Sequence, residues 1–405
     1  IAGSNYSQWR DPFLYSFGNY VGYPLPTGEN RYEKRLHSLY SFADLNYRDW
    51  LFGQVSLRND WSSTLPKATG SYLFPACNLS FVPSALLQWQ DNRLVNFAKL
   101  RLAYSETATD DEPYQLQRVY TTGSFAGQPT AGVEGIVRPL DLQPQRSRGF
   151  EAGLNLGGLR DRLQVDVTWY YLRSYNQLLN SPLPVSSGYP TVRINTGEIS
   201  NRGIEAIVGM RWLEKKRFSW ETKLNVARNR NRLESLSDGA ELLELAGIWG
   251  ANGAAVAVKA RESYGILIGF DYVRHPESGL PVVSEDGTRY ELTKVRVPLK
   301  IYNDQGKFLR YANSTPKFTG GIRNVVTWGN LRMECLVDAK IGGDLYSGSY
   351  ATAVQSGQSP RTLTERNGGG LPYTMPDGTT ANIGVILPGV HADGRPNDKV
   401  VHYYY

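Results

Sequence analysis

The strongest constraint on this chain is a period of two. In RLQVDVTWYYLR (162–173), Leu163, Val165, Val167, Trp169 and Tyr171 fall on one side. Gln164, Asp166, Thr168 and Tyr170 fall on the other. Successive side chains of an extended strand point to opposite faces, so the segment reads as a strand with one apolar and one polar face. The pattern recurs in FEAGLNL (150–156), IEAIVGMRW (204–212), FSWETKLNVA (218–227) and LRMECLVDAK (331–340). Weaker versions occur in LYSFADLNY (39–47), LFGQVSLR (51–58), CNLSF (77–81) and KLRLAY (99–104). Residues 13–20 and 317–328 are expected strands with less regular alternation. The polar positions carry full charges, among them Glu205, Glu221, Lys223, Glu334, Asp338 and Lys340.

Alternation alone does not say what each face meets, because a soluble sandwich also places apolar residues on one side. The connections are more telling. Short links around 48–50, 157–161, 213–217 and 329–330 alternate with long ones at about 61–75, 107–147, 176–199, 231–315 and 342–405. Long excursions after each hairpin are uncommon in compact domains but usual in outer-membrane barrels, which have short periplasmic turns and long extracellular loops. One link, 83–97, falls where a short turn is due, and its sequence predicts a helical turn. YGILIGFDY (264–272), counted as a crossing, would put the 329–330 turn on the wrong side, so it reads as part of a long outer loop. The apolar runs match the roughly 9–11 residues a tilted membrane strand needs. Trp50, Trp212, Phe218, Trp220 and Trp328 flank short turns, where interfacial rings belong.

Composition removes other classes. No run of about 18 apolar residues exists, which excludes helical spans only. A mean hydropathy of −0.40 is compatible with a barrel, whose polar half masks the lipid-facing half. Net charge is +6 without a dense basic run. KKR at 215–217 and RNRNR at 228–232 read as charged strand flanks rather than nucleic-acid contacts. Cys77 and Cys335 form neither a disulfide framework nor a metal site and are expected on outward faces of different strands.

Chemistry-bearing motifs are sparse. His37, His275, His391 and His402 are scattered, no nucleophile and base share a motif, and no enzyme is expected. TATDDE gathers Asp110, Asp111 and Glu112, oxygen ligands suited to a structural calcium in an outer loop, although a solvated acidic loop is the simpler reading. GGG (368–370) and GANGAA (250–255) lack a strand-to-helix setting and read as loop tips. Aromatic side chains on the long loops, namely Trp61, Trp249, Tyr264, Tyr272, Tyr346 and Tyr350, are candidate substrate contacts, with loop packing the competing role.

Several stretches resemble the SusC/RagA-like TonB-dependent transporters of Bacteroidetes outer membranes. They are SLRNDWSSTLPKATGSYLFPACNLSFV (56–82), KLRLAYSETATDDEPYQL (99–116), QRSRGFEAGLNLGGLRDRLQVDVTWYYLRSYNQLL (145–179), NTGEISNRGIEAIV (195–208) and IGGDLYSGSY (341–350). They occur in the family's order. The resemblance implies an all-β, antiparallel transmembrane β-barrel of about 22 strands with a plugged lumen. It implies import of oligosaccharides or peptides across the bacterial outer membrane with a SusD-like surface lipoprotein. Energy would come from the TonB complex through an N-terminal region, and no cofactor serves covalent chemistry. The plug, TonB box, first strands and last strands find no match, so residues 1–405 are expected to be an internal piece of about ten or eleven strands. The alternative is a soluble, secreted or surface β-rich glycan-binding or adhesin protein, whose apolar faces would meet in a dry core.

Overall fold

The computed structural model describes residues 32–117, 120–125, 128–138, 140–236, 241–247, 253–302, 308–360 and 369–402. Ten strands pair into one sheet in chain order. They are β1 (Leu36–Tyr47), β2 (Leu51–Ser62), β3 (Ser71–Phe81), β4 (Val95–Thr109), β5 (Gln145–Gly158), β6 (Leu163–Tyr175), β7 (Glu198–Lys215), β8 (Phe218–Ser235), β9 (Phe318–Trp328) and β10 (Leu331–Ile341). Every neighbouring pair is antiparallel. The expected strand at 13–20 lies outside the described residues.

Local chemistry sets the short ends. Between β1 and β2, Arg48 and Asp49 both adopt positive φ, 50° and 56°, the conformation of the central residues of a type I′ hairpin turn. Asn46 steadies this turn by donating to the Asp49 carboxylate at 3.0 Å. Gly329, at φ +59°, opens the two-residue turn between β9 and β10. The 82–94 link carries the expected helical turn, α1 (Pro83–Leu86), followed by a 3₁₀ turn at Trp89–Asp91. Residues 264–272 do not join the ten-stranded sheet. Ile266–Gly269 instead belongs to a separate four-stranded sheet in the loop between β8 and β9.

The register carries the alternation across all ten strands. Leu51, Phe81, Leu100, Leu154, Val167, Ala206, Val226, Gly320 and Ala339 follow one another strand to strand on the apolar face. Cys77 and Cys335 lie on that face too, as expected, and both are exposed. The face is not a packed interior. Leu224 is 40% and Val337 56% exposed, where a sandwich would bury them. The tightest packing sits in the loop sheet, where Ala255, Ala257, Ile266 and Ile268 are buried against Leu242 and Tyr311. A sheet with this much bare hydrocarbon on one side needs a lipid solvent, which counts against the soluble alternative.

Loop bounds differ from expectation at one informative place. The first long link spans only 63–70, because β2 runs on to Ser62 and β3 begins at Ser71. Trp61 is therefore a strand residue, paired with His37 and Ser71 on the apolar side. The remaining long links span 110–144, 176–197 and 236–317, near the expected bounds.

Candidate functional site

The polar face carries clusters of side chains that bond from strand to strand. At one end Gln54 of β2 donates to Asp44 of β1 at 2.7 Å, and Asn78 of β3 donates to Gln54 at 3.2 Å. Further along, the Arg101 guanidinium of β4 passes over β5 to reach Asp166 of β6 at 2.7 Å and Thr168 at 3.2 Å. Asn155 of β5 donates to the other Asp166 oxygen at 2.6 Å. Gly153 makes the crossing feasible, since a Cβ there would lie 2.8 Å from the Arg101 Nε. Tyr170 of β6 likewise lies over Gly203 of β7. At the far end Arg323 of β9 grips Glu334 of β10 through both Nε and Nη2, at 2.6 and 2.8 Å.

A cavity of about 460 Å³ opens on the polar face, walled by Asn155, Gln164, Asp166, Ile207, Glu221 and Lys223. A second concavity nearby includes Asn78, Ser80, Arg101, Glu151 and Thr168. Alternating carboxylates, cations and amides suit a wet surface that exchanges hydrogen bonds with a passing polar solute.

The apolar face carries an aromatic girdle at the short-turn end. Trp50 meets Tyr47 and Phe81 edge-on, at 5.4 and 5.8 Å between centroids. Trp212 lies 5.7 Å from Trp220 and donates its indole N–H to Thr222 at 3.0 Å. Alternation places Trp212 beside Met210 on this side, and a bulge at Arg211–Leu213 brings Leu213 opposite Trp220.

At the long-loop end the acidic triplet is dispersed. Asp110 is held by Lys34 and accepts from Ser62 and Thr64. Asp111 receives both arms of Arg193, and Glu112 is exposed. The carboxylates turn to different cations, and among the described residues no group of three His, Cys, Asp or Glu is placed to hold a metal. Burial would push the Asp110 carboxyl up, but Lys34, Ser62 and Thr64 outweigh it and hold the pKa below its ordinary value.

The aromatic candidates do not form one cluster. Trp61 faces the apolar side, a correction to its reading as a loop contact. Trp249 lies outside the described residues. Tyr272 packs on Tyr290 at 4.7 Å, and Tyr264 receives Asn313 and Thr315 on its backbone carbonyl. Tyr346 is half-buried, whereas Tyr350 is exposed on α2 (Gly348–Gln355). Sequence reasoning did not single out Arg101, Gly153 or Asp166 as a unit. Their signal was only the recurrence of charge on polar strand faces, and the partnership spans 65 residues.

The profile of the family described as TonB dependent receptor-like, β-barrel matches residues 1–369. A TonB-dependent receptor of Formosa agariphila is 26% identical over 268 residues, which is 66% of this chain and 25% of that protein. The TonB-dependent receptor SusC of Bacteroides thetaiotaomicron is 26% identical over 212 residues, 49% of this chain and 21% of that protein. The chain thus spans about a quarter of the relatives it matches. The structure of the RagAB peptide transporter superposes with a TM-score of 0.62 at 20% identity, covering 81% of this chain and 36% of that one. Proteins of this family are receptors of the bacterial outer membrane, and the one-sided sheet is the wall such a protein needs. With its ten antiparallel strands and matched profile, the chain belongs to the TonB dependent receptor-like β-barrel family.

Proposed function

We propose that this segment forms part of the wall of an active importer for oligosaccharides or peptides, working with a SusD-like surface lipoprotein and energised by the TonB complex through another part of the protein. The observation that carries the reading is the two-sidedness of the ten strands. One face is bare hydrocarbon and the other a hydrogen-bonded polar wall over a concavity. A solute moving along such a wall exchanges water for side-chain partners at little net cost. Relatives named as a peptide transporter and as SusC support the importer reading. Tyr264, Tyr272, Tyr346 and Tyr350 are proposed loop contacts, where rings stack on sugars or on peptide side chains.

The test is competitive growth of cells carrying or lacking the full-length protein, on oligosaccharides or on oligopeptides as the limiting nutrient. A growth defect on one class that the intact gene restores supports import and names the cargo. Equal growth on both classes, together with equal uptake of labelled substrates, overturns the reading.

A further inference from the structure

The RNRNR motif acquires a direction once the register is known. Arg228, Arg230 and Arg232 share the apolar face of β8 with Leu224 and Val226, while Asn229 and Asn231 point to the polar side. The same change occurs on the three preceding strands. On β7, Met210, Val208, Ala206 and Ile204 give way to Arg202. On β6, Val167, Trp169 and Tyr171 give way to Arg173, and on β5, Leu154, Ala152 and Phe150 give way to Arg148. Arg228 stands ten residues from the start of β8 at Phe218. At about 3.3 Å per residue and a tilt of about 40°, that is about 25 Å, the height of a barrel's apolar band. The arginines therefore begin where the hydrocarbon ends, at the long-loop rim.

Some of this charge is neutralised in place. Arg146 and Arg148 share Glu106, Arg173 holds Glu198, and Arg232 faces Glu234 at 3.8 Å. Arg202, Arg228 and Arg230 have no carboxylate within ion-pair distance among the described residues. Arg228 only caps the Phe318 ring, at 5.0 Å. Arg202 and Arg230 are direct cross-strand partners on one face. Like charges so placed repel, and nothing in the sheet compensates them.

We propose that this rim of β7 and β8 docks a phosphate-bearing anionic lipid headgroup of the outer leaflet. The occupant follows from position and charge. The patch is continuous with the lipid-facing hydrocarbon below it, so a molecule bound there has its chains against Ile204, Leu224 and Val226 and its anion against the guanidiniums. Paired arginines bind phosphate oxygens through their planar forks. On β1 to β3 the matching outward positions are His37, Leu39, Asn59, Trp61, Ser71 and Leu73, so the binding is confined to one sector of the wall.

The test uses the full-length protein in bilayers of phosphatidylcholine with and without phosphatidic acid, followed by native mass spectrometry of retained lipid. The parent protein retains phosphatidic acid over phosphatidylcholine, and added salt weakens that preference. Arg202→Gln, Arg228→Gln and Arg230→Gln each lower it by about fivefold, and the triple variant abolishes it. Lys216→Gln, at the opposite rim, leaves it intact. If the triple variant does not assemble, the single variants are read in the same assay, because each leaves most of the rim in place. Equal retention of phosphatidic acid by parent and variants overturns the proposal, as does a loss of lipoprotein partner binding with lipid retention unchanged. The readout is independent of import, so its failure leaves the importer reading standing.

Discussion

Arg101 lies across Gly153. The glycine sits on the strand between Arg101 and its carboxylate partner Asp166, and its missing side chain is the space the guanidinium occupies. Gly153→Ala would push the flexible end of Arg101 aside without moving backbone. Because the pair is partly exposed, the expected loss is under ~1 kcal/mol. Gly203→Ala is different, since its Cβ would sit 2.5 Å from the Arg228 carbonyl oxygen, a backbone atom, and an expected ~1–3 kcal/mol is lost. Urea unfolding of the two full-length variants in lipid vesicles separates them, and equal losses would contradict this geometry.

Adjacent residues of β8 should answer oppositely to the same substitution. Leu224 pairs with Val208 and Ile322 on the lipid side, whereas Asn225 pairs with Ile207 and Gly321 on the polar side. Leu224→Arg is expected to cost ~2–4 kcal/mol, and Asn225→Arg to be tolerated within ~1 kcal/mol. Heat-modifiable gel mobility after folding into vesicles reports both.

Acid should loosen the rim where Lys34 meets Asp110. Burial disfavours the Asp110 carboxylate, but hydrogen bonds from Lys34, Ser62 and Thr64 prevail, so its folded pKa lies below the ordinary 3.8. A depressed carboxylate contributes stability that is full above the unfolded pKa and is lost as pH falls through the folded one. Protease protection of the 110–144 loop is therefore expected to hold above about pH 4 and to fall below it, and Asp110→Asn should remove that dependence. A protection curve of unchanged pH dependence in Asp110→Asn would contradict the assignment.

Chelation offers a contrasting expectation. The Asp110 and Asp111 carboxylates are already engaged by Lys34 and Arg193, so EDTA should leave loop protection unchanged. Arg193→Ala should instead expose the loop, because it strands the Asp111 carboxylate, whose side chain is only 3% exposed. An expected ~3–5 kcal/mol is lost when one partner of a buried pair is removed. Proteolysis with added calcium or EDTA distinguishes the two roles.

Much of the wall was legible before any coordinates. The strand segments, the alternation of short and long links, the helical turn after β3 and the exclusion of 264–272 from the main sheet all follow from pattern and parity. The errors lie at strand ends. Trp61 looked like loop because RNDWSS is polar, yet pairing with β1 and β3 extends β2 through Ser62. Strand ends depend on whether a neighbour continues, which is not a local property. The rim arginines stand out in the sequence as a cluster, and the alternation of FSWETKLNVA runs on through RNRNR in step with Leu224 and Val226, but that Arg202 lies opposite Arg230 follows only from the pairing of β7 with β8.

What the sequence by itself determined is which side chains share a face, because alternation is built into the covalent geometry of an extended chain. What only the tertiary structure decided is which of them meet. Arg101 finds Asp166, and Arg202 confronts Arg230, through register between strands, and register is a sum of many weak backbone and side-chain contacts over distant segments.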